Sequence, residues 1–83
     1  METNPYLKAA MLEIVDNQLR ENNPPETRQT FERLVAEGCT EEEAKKLIGC
    51  AVSTEIYHVL KNKEEFNLKR YCEALSSLPE LPE

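Results

Sequence analysis

One long run of apolar residues at helical spacing dominates this sequence. Ala44, Leu47, Ile48, Ala51, Val52, Ile56, Val59 and Leu60 share one side of a helix running from about residue 41 to residue 61. A helix of that length extends roughly 30 Å, the diameter of a small domain. A chain of 83 residues must therefore fold around it. On a wheel of about 100° per residue, Glu55 falls inside the stripe, between Ala44 and Ile48, with Val59 beside it. His58 lies on the same face one turn further on. An ionised carboxylate in such a place costs several kcal/mol unless it is paired or hydrated, so Glu55 needs a partner, a shifted pKa or a water channel.

The segments on either side carry helix punctuation. Asn4 as N-cap with Pro5 at the first helical position opens a helix over residues 5–21. Leu7, Ala10, Met11, Ile14 and Val15 form its core face, and Leu12 and Leu19 lie at one margin. Gln18 also falls within that stripe, which makes it the natural hydrogen-bond partner of Glu55, with His58 or a second chain as the alternatives. A second helix spans residues 24–37. Asn23 and Glu26 have capping-box spacing at its start, and Gly38 supplies the left-handed end. Its inward residues are Thr27, Phe31, Leu34 and Val35.

Thr40 and Glu43 form a capping box for the long third helix, and Glu41, Glu42 and Glu43 sit where the helix dipole favours negative charge. That position accounts for the acidic triplet without a metal. The fourth helix, residues 68–76, is capped by Asn67. Phe66 packs on Tyr71 as a hydrophobic staple, and Leu68, Tyr71, Cys72 and Leu75 face inward. Residues 77–83 contain a tandem Leu-Pro-Glu that cannot continue a helix, and they read as a flexible tail. Only two glycines occur and no segment alternates as a strand does. The expectation is a single all-α domain over residues 1–83, four helices joined by short loops, with most of its core from the first and third.

Composition removes several function classes. A net charge of −6, with the basic residues scattered among acidic ones, does not suit nucleic-acid binding. A helix-turn-helix at the junction of the second and third helices around Gly38, within residues 34–48, would present the three glutamates that open the third helix to the phosphates. The same segment resembles a ubiquitin-associated hairpin, but the residues flanking Gly38, where that family places its apolar ubiquitin contacts, are Glu37 and Cys39. No apolar run is long enough to span a bilayer and no signal peptide opens the chain, so a whole small cytoplasmic protein is expected. Cys39, Cys50 and Cys72 are odd in number and lack a Cys-x-x-Cys pair, which points to reduced thiols without a disulfide framework, cofactor or zinc site.

Catalysis is equally poorly provided for. His58 is the only histidine, and Cys50 lies about 12 Å from it along the helix axis. Glu55-x-x-His58 is the half-site spacing of carboxylate-bridged di-metal bundles, but one chain cannot supply the second histidine motif such a site needs. No catalytic residue and no metal ligand is therefore assigned. The leading expectation is a non-enzymatic module that binds a protein partner or forms a homo-oligomer, with Leu12, Leu19, Tyr57 and Leu60 as candidate interface. The alternative is a metal- or small-ligand-binding bundle using Glu55, His58 and Gln18.

Taken end to end, the chain resembles a small bacterial family of helical proteins of unknown function. The residues carrying the resemblance are Asn4-Pro5-Tyr6-Leu7, Val15 through Leu19, Pro24-Pro25-Glu26, Arg33-Leu34, Gly38, Glu43-Ala44, Ile48-Gly49, Glu55-Ile56 and Arg70-Tyr71. The resemblance implies histidine pairs at the positions here occupied by Lys8 and Leu12 and by Glu42 and Lys46. All four are replaced, and a Lys8–Glu42 ion pair is the expected substitute, worth at most about 1 kcal/mol at a surface. The resemblance implies a helical fold and no activity.

Overall fold

The computed structural model describes the backbone of residues 5–80 and the side chains of residues 9–80. The Asn4 cap, the inward placing of Leu7, the Lys8–Glu42 pair and residues 81–83 lie outside the described residues. Four helices are present: α1 (Pro5–Glu21), α2 (Pro25–Ala36), α3 (Glu41–Asn62) and α4 (Leu68–Ser77). No strand occurs among the described residues. Glu42, the other half of the expected pair, lies 3.4 Å from Lys46 on its own helix.

Each helix end has a chemical reason. Thr40 Oγ1 accepts from Glu43 N (3.1 Å), and Thr40 N donates to Glu43 Oε1 (3.2 Å), closing the expected box. Asn67 Oδ1 accepts from Arg70 N at 3.0 Å, capping α4. At Gly38, φ is +111°, and Cys39 N donates to Leu34 O (3.0 Å) while Gly38 N donates to Val35 O (3.1 Å). These are the two bonds of a Schellman end. The Asn23–Glu26 box does not form. Pro24 stands at the N-cap with no side-chain bond, and proline has no N–H to donate the reciprocal bond. Asn23 N donates backwards to Gln18 O at 3.1 Å, helping to close α1.

The long helix α3 packs against all three others, whereas the backbones of α1 and α4 stay apart among the described residues and are linked through the side chains of Gln18 and Tyr71. Lys45 Nζ lies 2.9 Å from Asp16, and a Cβ on Gly49 would lie 3.9 Å from that of Met11. Those pairings make α1 and α3 antiparallel. The core comprises Val15, Leu34, Ala44, Ile48, Ala51, Val52, Tyr71, Leu75 and Leu78. Among the described residues it is drawn chiefly from α3 and the α4 region. Apart from Val15, the apolar residues α1 contributes to it, Met11, Ile14 and Leu19, are only partly buried against it.

Three further placements differ from expectation. Thr30 faces inward on α2 and Val35 is exposed, because α2 turns a more polar face to its neighbours. Leu68 is exposed, since Tyr71 and Leu75 carry the inward face of α4. Leu78 is 2% exposed, so the packed body continues past Ser77 into what the sequence reads as a tail. A fully buried leucine contributes about 1.5–3 kcal/mol, enough to hold the chain there.

Candidate functional site

Glu55 is 2% exposed and every bond it accepts comes from the α3–α4 corner. Its Oε1 accepts from Asn67 N (2.7 Å) and Arg70 Nη2 (2.8 Å), and its Oε2 accepts from Arg70 Nε (2.7 Å). Arg70 Nη2 also lies 2.8 Å from Glu64 Oε1. The planar guanidinium thus grips one carboxylate with two parallel bonds and touches a second. Its side chain keeps 34% of its surface in water, so the buried charge is neutralised just beneath the surface rather than in a dry interior.

The electrostatics follow from this geometry. The Arg70 bonds hold the Glu55 carboxyl below the usual carboxylate range despite the opposing effect of burial, and Asn67 N–H and the nearby His58 add to the effect. Arg70 is raised in turn, first by Glu55 and then by Glu64. His58 is half-buried at the rim of this cluster, with its ring edge-on to Tyr57 at 5.9 Å. A metal at Glu55 would have to displace Arg70. No group of three or more His, Cys, Asp or Glu residues able to hold a metal occurs among the described residues.

Gln18 is not the partner of Glu55. It belongs to a second, neutral cluster, where its Oε1 accepts from Tyr71 Oη and from Thr27 Oγ1, each at 2.8 Å. Thr27 and Tyr71 oxygens are themselves 3.1 Å apart. Two hydroxyl protons serve three contacts, and sending both to the amide oxygen satisfies both donors. Burial pushes the Tyr71 phenol up to about 12. The two polar anomalies of the sequence are therefore answered separately, because Arg70 arrives from α4 to satisfy Glu55 and Tyr71 from the same helix to satisfy Gln18.

Arg70 is the residue that the sequence reading missed. Its signal was nonetheless present: Asn67 as N-cap puts Arg70 at the third helical position, within reach of the loop it closes. The carbonyl ends of two helices also receive arginines from α2, Arg28 on Leu19 O (2.7 Å) and Arg33 on Leu75 O (3.1 Å).

The four expected interface residues do not form one surface. Asp16 faces Lys45, so Leu19 lies near the first turn of α3, while Tyr57 and Leu60 lie some 20 Å away in its last turns. Leu19 packs on the core and Leu12 is half-buried. Tyr57 and Leu60 are 58% and 73% exposed. Leu60 stands at the outer margin of the stripe, roughly 140° round the helix from Glu55 at about 100° per residue, which turns it to solvent.

Elsewhere, a shallow groove of about 270 Å³ lies between α2 and α4, lined by Glu26, Thr30, Arg33, Cys72 and Ser76 among others. Glu26 Oε1 is buried without a hydrogen bond there. Burial and the neighbouring Glu26 push the Cys72 thiol up, away from a reactive thiolate. All three cysteines are free.

Fold and site together define a small all-α protein in which the buried Glu55 carboxylate is held by a bidentate arginine, and no described helix is long and apolar enough to cross a membrane. The chain belongs to the family described as a domain of unknown function, DUF1841, whose model matches residues 1–77. No curated protein matches it. No solved structure does either.

Proposed function

We propose that this protein is a non-enzymatic binding module whose contact surface for another protein is the α3–α4 corner. One observation carries the reading. Five large apolar side chains are exposed among the described residues, and four of them, Tyr57, Leu60, Phe66 and Leu68, fall within twelve consecutive residues at that corner. Scattered exposed apolar residues need no explanation, but a concentration at one end of a small domain is the usual mark of an interaction site.

The Glu55 cluster supports this reading by making the corner rigid. Lys63 takes a left-handed conformation (φ 53°), Glu64 N donates to Val59 O (3.2 Å), and Glu55 ties down Asn67 N. A surface already ordered before contact loses less entropy on binding. The same cluster argues for a structural Glu55, since both carboxylate oxygens are engaged by groups that leave no room for a substrate proton.

The test is a selection of random peptides displayed against the protein, repeated on Tyr57→Ala/Leu60→Ala. Both residues are exposed, so the variant should fold normally. Binders are expected whose affinity falls at least tenfold, about 1.4 kcal/mol, on the variant. A selection yielding only binders indifferent to it, or none, would sink the reading.

A further inference from the structure

We infer that the partner of the α3–α4 corner is an acidic protein segment carrying large apolar side chains, an inference that rests on the docking surface just described. The chain as a whole has a net charge of −6, yet residues 57–70 hold four basic residues against two acidic ones. Including Glu55 leaves the corner still positive. Among the described residues, exposed apolar side chains and positive charge coincide here.

The charges are arranged to act outward. Arg70 is shared between Glu55 and Glu64, so it offsets one of the two acids, and the three free lysines leave the corner with a small positive excess. Lys61 lies over the Tyr57 ring, its ammonium 5.5 Å from the centroid, so charge and aromatic face are presented together. Lys63 and Lys69 are exposed on either side of the loop, against a single further acid, Glu65. An incoming carboxylate finds lysines at the rim, and an incoming Leu or Phe finds Tyr57 and Leu60. Apolar anchors within a charged rim are how protein interfaces divide affinity from orientation.

A second copy of this chain fits less well. A two-fold contact would bring the same corner against itself and face each lysine cluster with its own like charge. The acidic first turn of α3, with Glu41, Glu42 and Glu43, lies at the opposite end of that helix, so reaching it would build an open head-to-tail array instead of a closed dimer.

The experiment uses the peptides recovered from the display selection, measured by fluorescence anisotropy on the intact protein and on Lys61→Glu/Lys63→Glu/Lys69→Glu. Asp and Glu are expected to be enriched around Leu, Phe or Trp in the selected peptides. Their affinity should fall about tenfold or more on the charge-reversed protein and weaken as salt rises. Peptides that need Tyr57 and Leu60 but ignore the charge reversal would leave the docking surface standing and overturn its acidic partner. Peptides that ignore Tyr57 and Leu60 overturn both. Two controls identify other occupants: vesicles of mixed phosphatidylcholine and phosphatidylserine, and light scattering of the protein alone. Vesicle binding lost on Tyr57→Ala/Leu60→Ala would assign the corner to an anionic lipid surface, and a dimer lost on that variant would assign it to a second copy. Either result overturns the inference.

Discussion

The two polar clusters of this protein solve the same problem in opposite ways. At the α3–α4 corner, a buried carboxylate is answered by a charged arginine from a segment close in sequence, within a few residues of the helix turn. Between α1, α2 and α4, an amide is answered by two hydroxyls, and the bonds join residues as much as 53 positions apart. The corner cluster is ionic and half-wet, with Arg70 exposed to water. The other is neutral, with Thr27 and Tyr71 wholly buried. A charge can be buried here only because its partner reaches it from the surface, whereas the interior accepts only groups that lose little on leaving water.

Substitutions test that contrast most directly. Glu55→Ala would leave Asn67 N–H and the Arg70 guanidinium without their acceptor, and a loss of about 3 kcal/mol is expected in urea unfolding, the lower end of what breaking a buried pair costs because Arg70 is partly solvated. Tyr71→Phe removes one hydroxyl from a cluster in which Thr27 can still donate to Gln18, so a smaller loss of about 1–1.5 kcal/mol is expected. A larger cost for Tyr71→Phe than for Glu55→Ala would break the contrast, placing the critical anchor in the neutral cluster.

The clusters should also differ in pH response, and with opposite sign. Glu55 has a folded pKa below its unfolded value of about 4.3. Its contribution is complete above that value and is lost as pH falls through the lower folded pKa. Glu55→Gln should therefore flatten the acid limb of a stability–pH curve. For Tyr71 the folded pKa is raised to about 12. Its contribution is complete below about 10, the unfolded value, and is lost as pH rises through the folded one. Absorbance at the tyrosinate band should show one phenol titrating late, and Tyr71→Phe should remove it. An unchanged acid limb in Glu55→Gln would mean that Arg70 contributes nothing specific to the ionised form.

Smaller effects sharpen the picture of the corner. Lys63 holds a left-handed conformation at the end of α3, which side chains with a Cβ adopt at a cost. Lys63→Gly should raise stability by about 0.5–1 kcal/mol, net of the extra freedom glycine gives the unfolded chain. Tyr57→Ala/Leu60→Ala should change stability by less than about 0.5 kcal/mol while weakening peptide binding about tenfold or more. That pairing of results would separate the surface that binds from the cluster that holds it in shape.

Much of the architecture can be read from local chemistry. Thr40 with Glu43, Gly38, Asn67 and the prolines after Asn23 punctuate the chain where helices begin and end, and each helix boundary falls within a residue or so of the expected one. Those signals are legible because a cap or a left-handed glycine acts through bonds to its own near neighbours. The Asn23–Glu26 box misled for an equally local reason, since a proline occupies the very position that must supply an N–H. The staple between Phe66 and Tyr71, with ring centroids 5.4 Å apart, likewise needed no distant information.

Glu55 shows the limit. Its position in the α3 stripe announces a buried carboxylate, and a buried carboxylate requires a partner, but helical periodicity says nothing about which neighbouring helix supplies one. Gln18 and Arg70 are both compatible with the pattern. The choice falls to the packing: α4 lies against α3, so Arg70 grips Glu55, while Tyr71 on the same helix reaches the other way to Gln18 on α1. Leu68 makes the same point from outside: its place in the α4 pattern predicts burial, and the packing leaves it 49% exposed. Helix identity and ends are thus matters of short-range bonding already present in the chain, and partner choice and exposure are matters of which surfaces meet once the helices are packed.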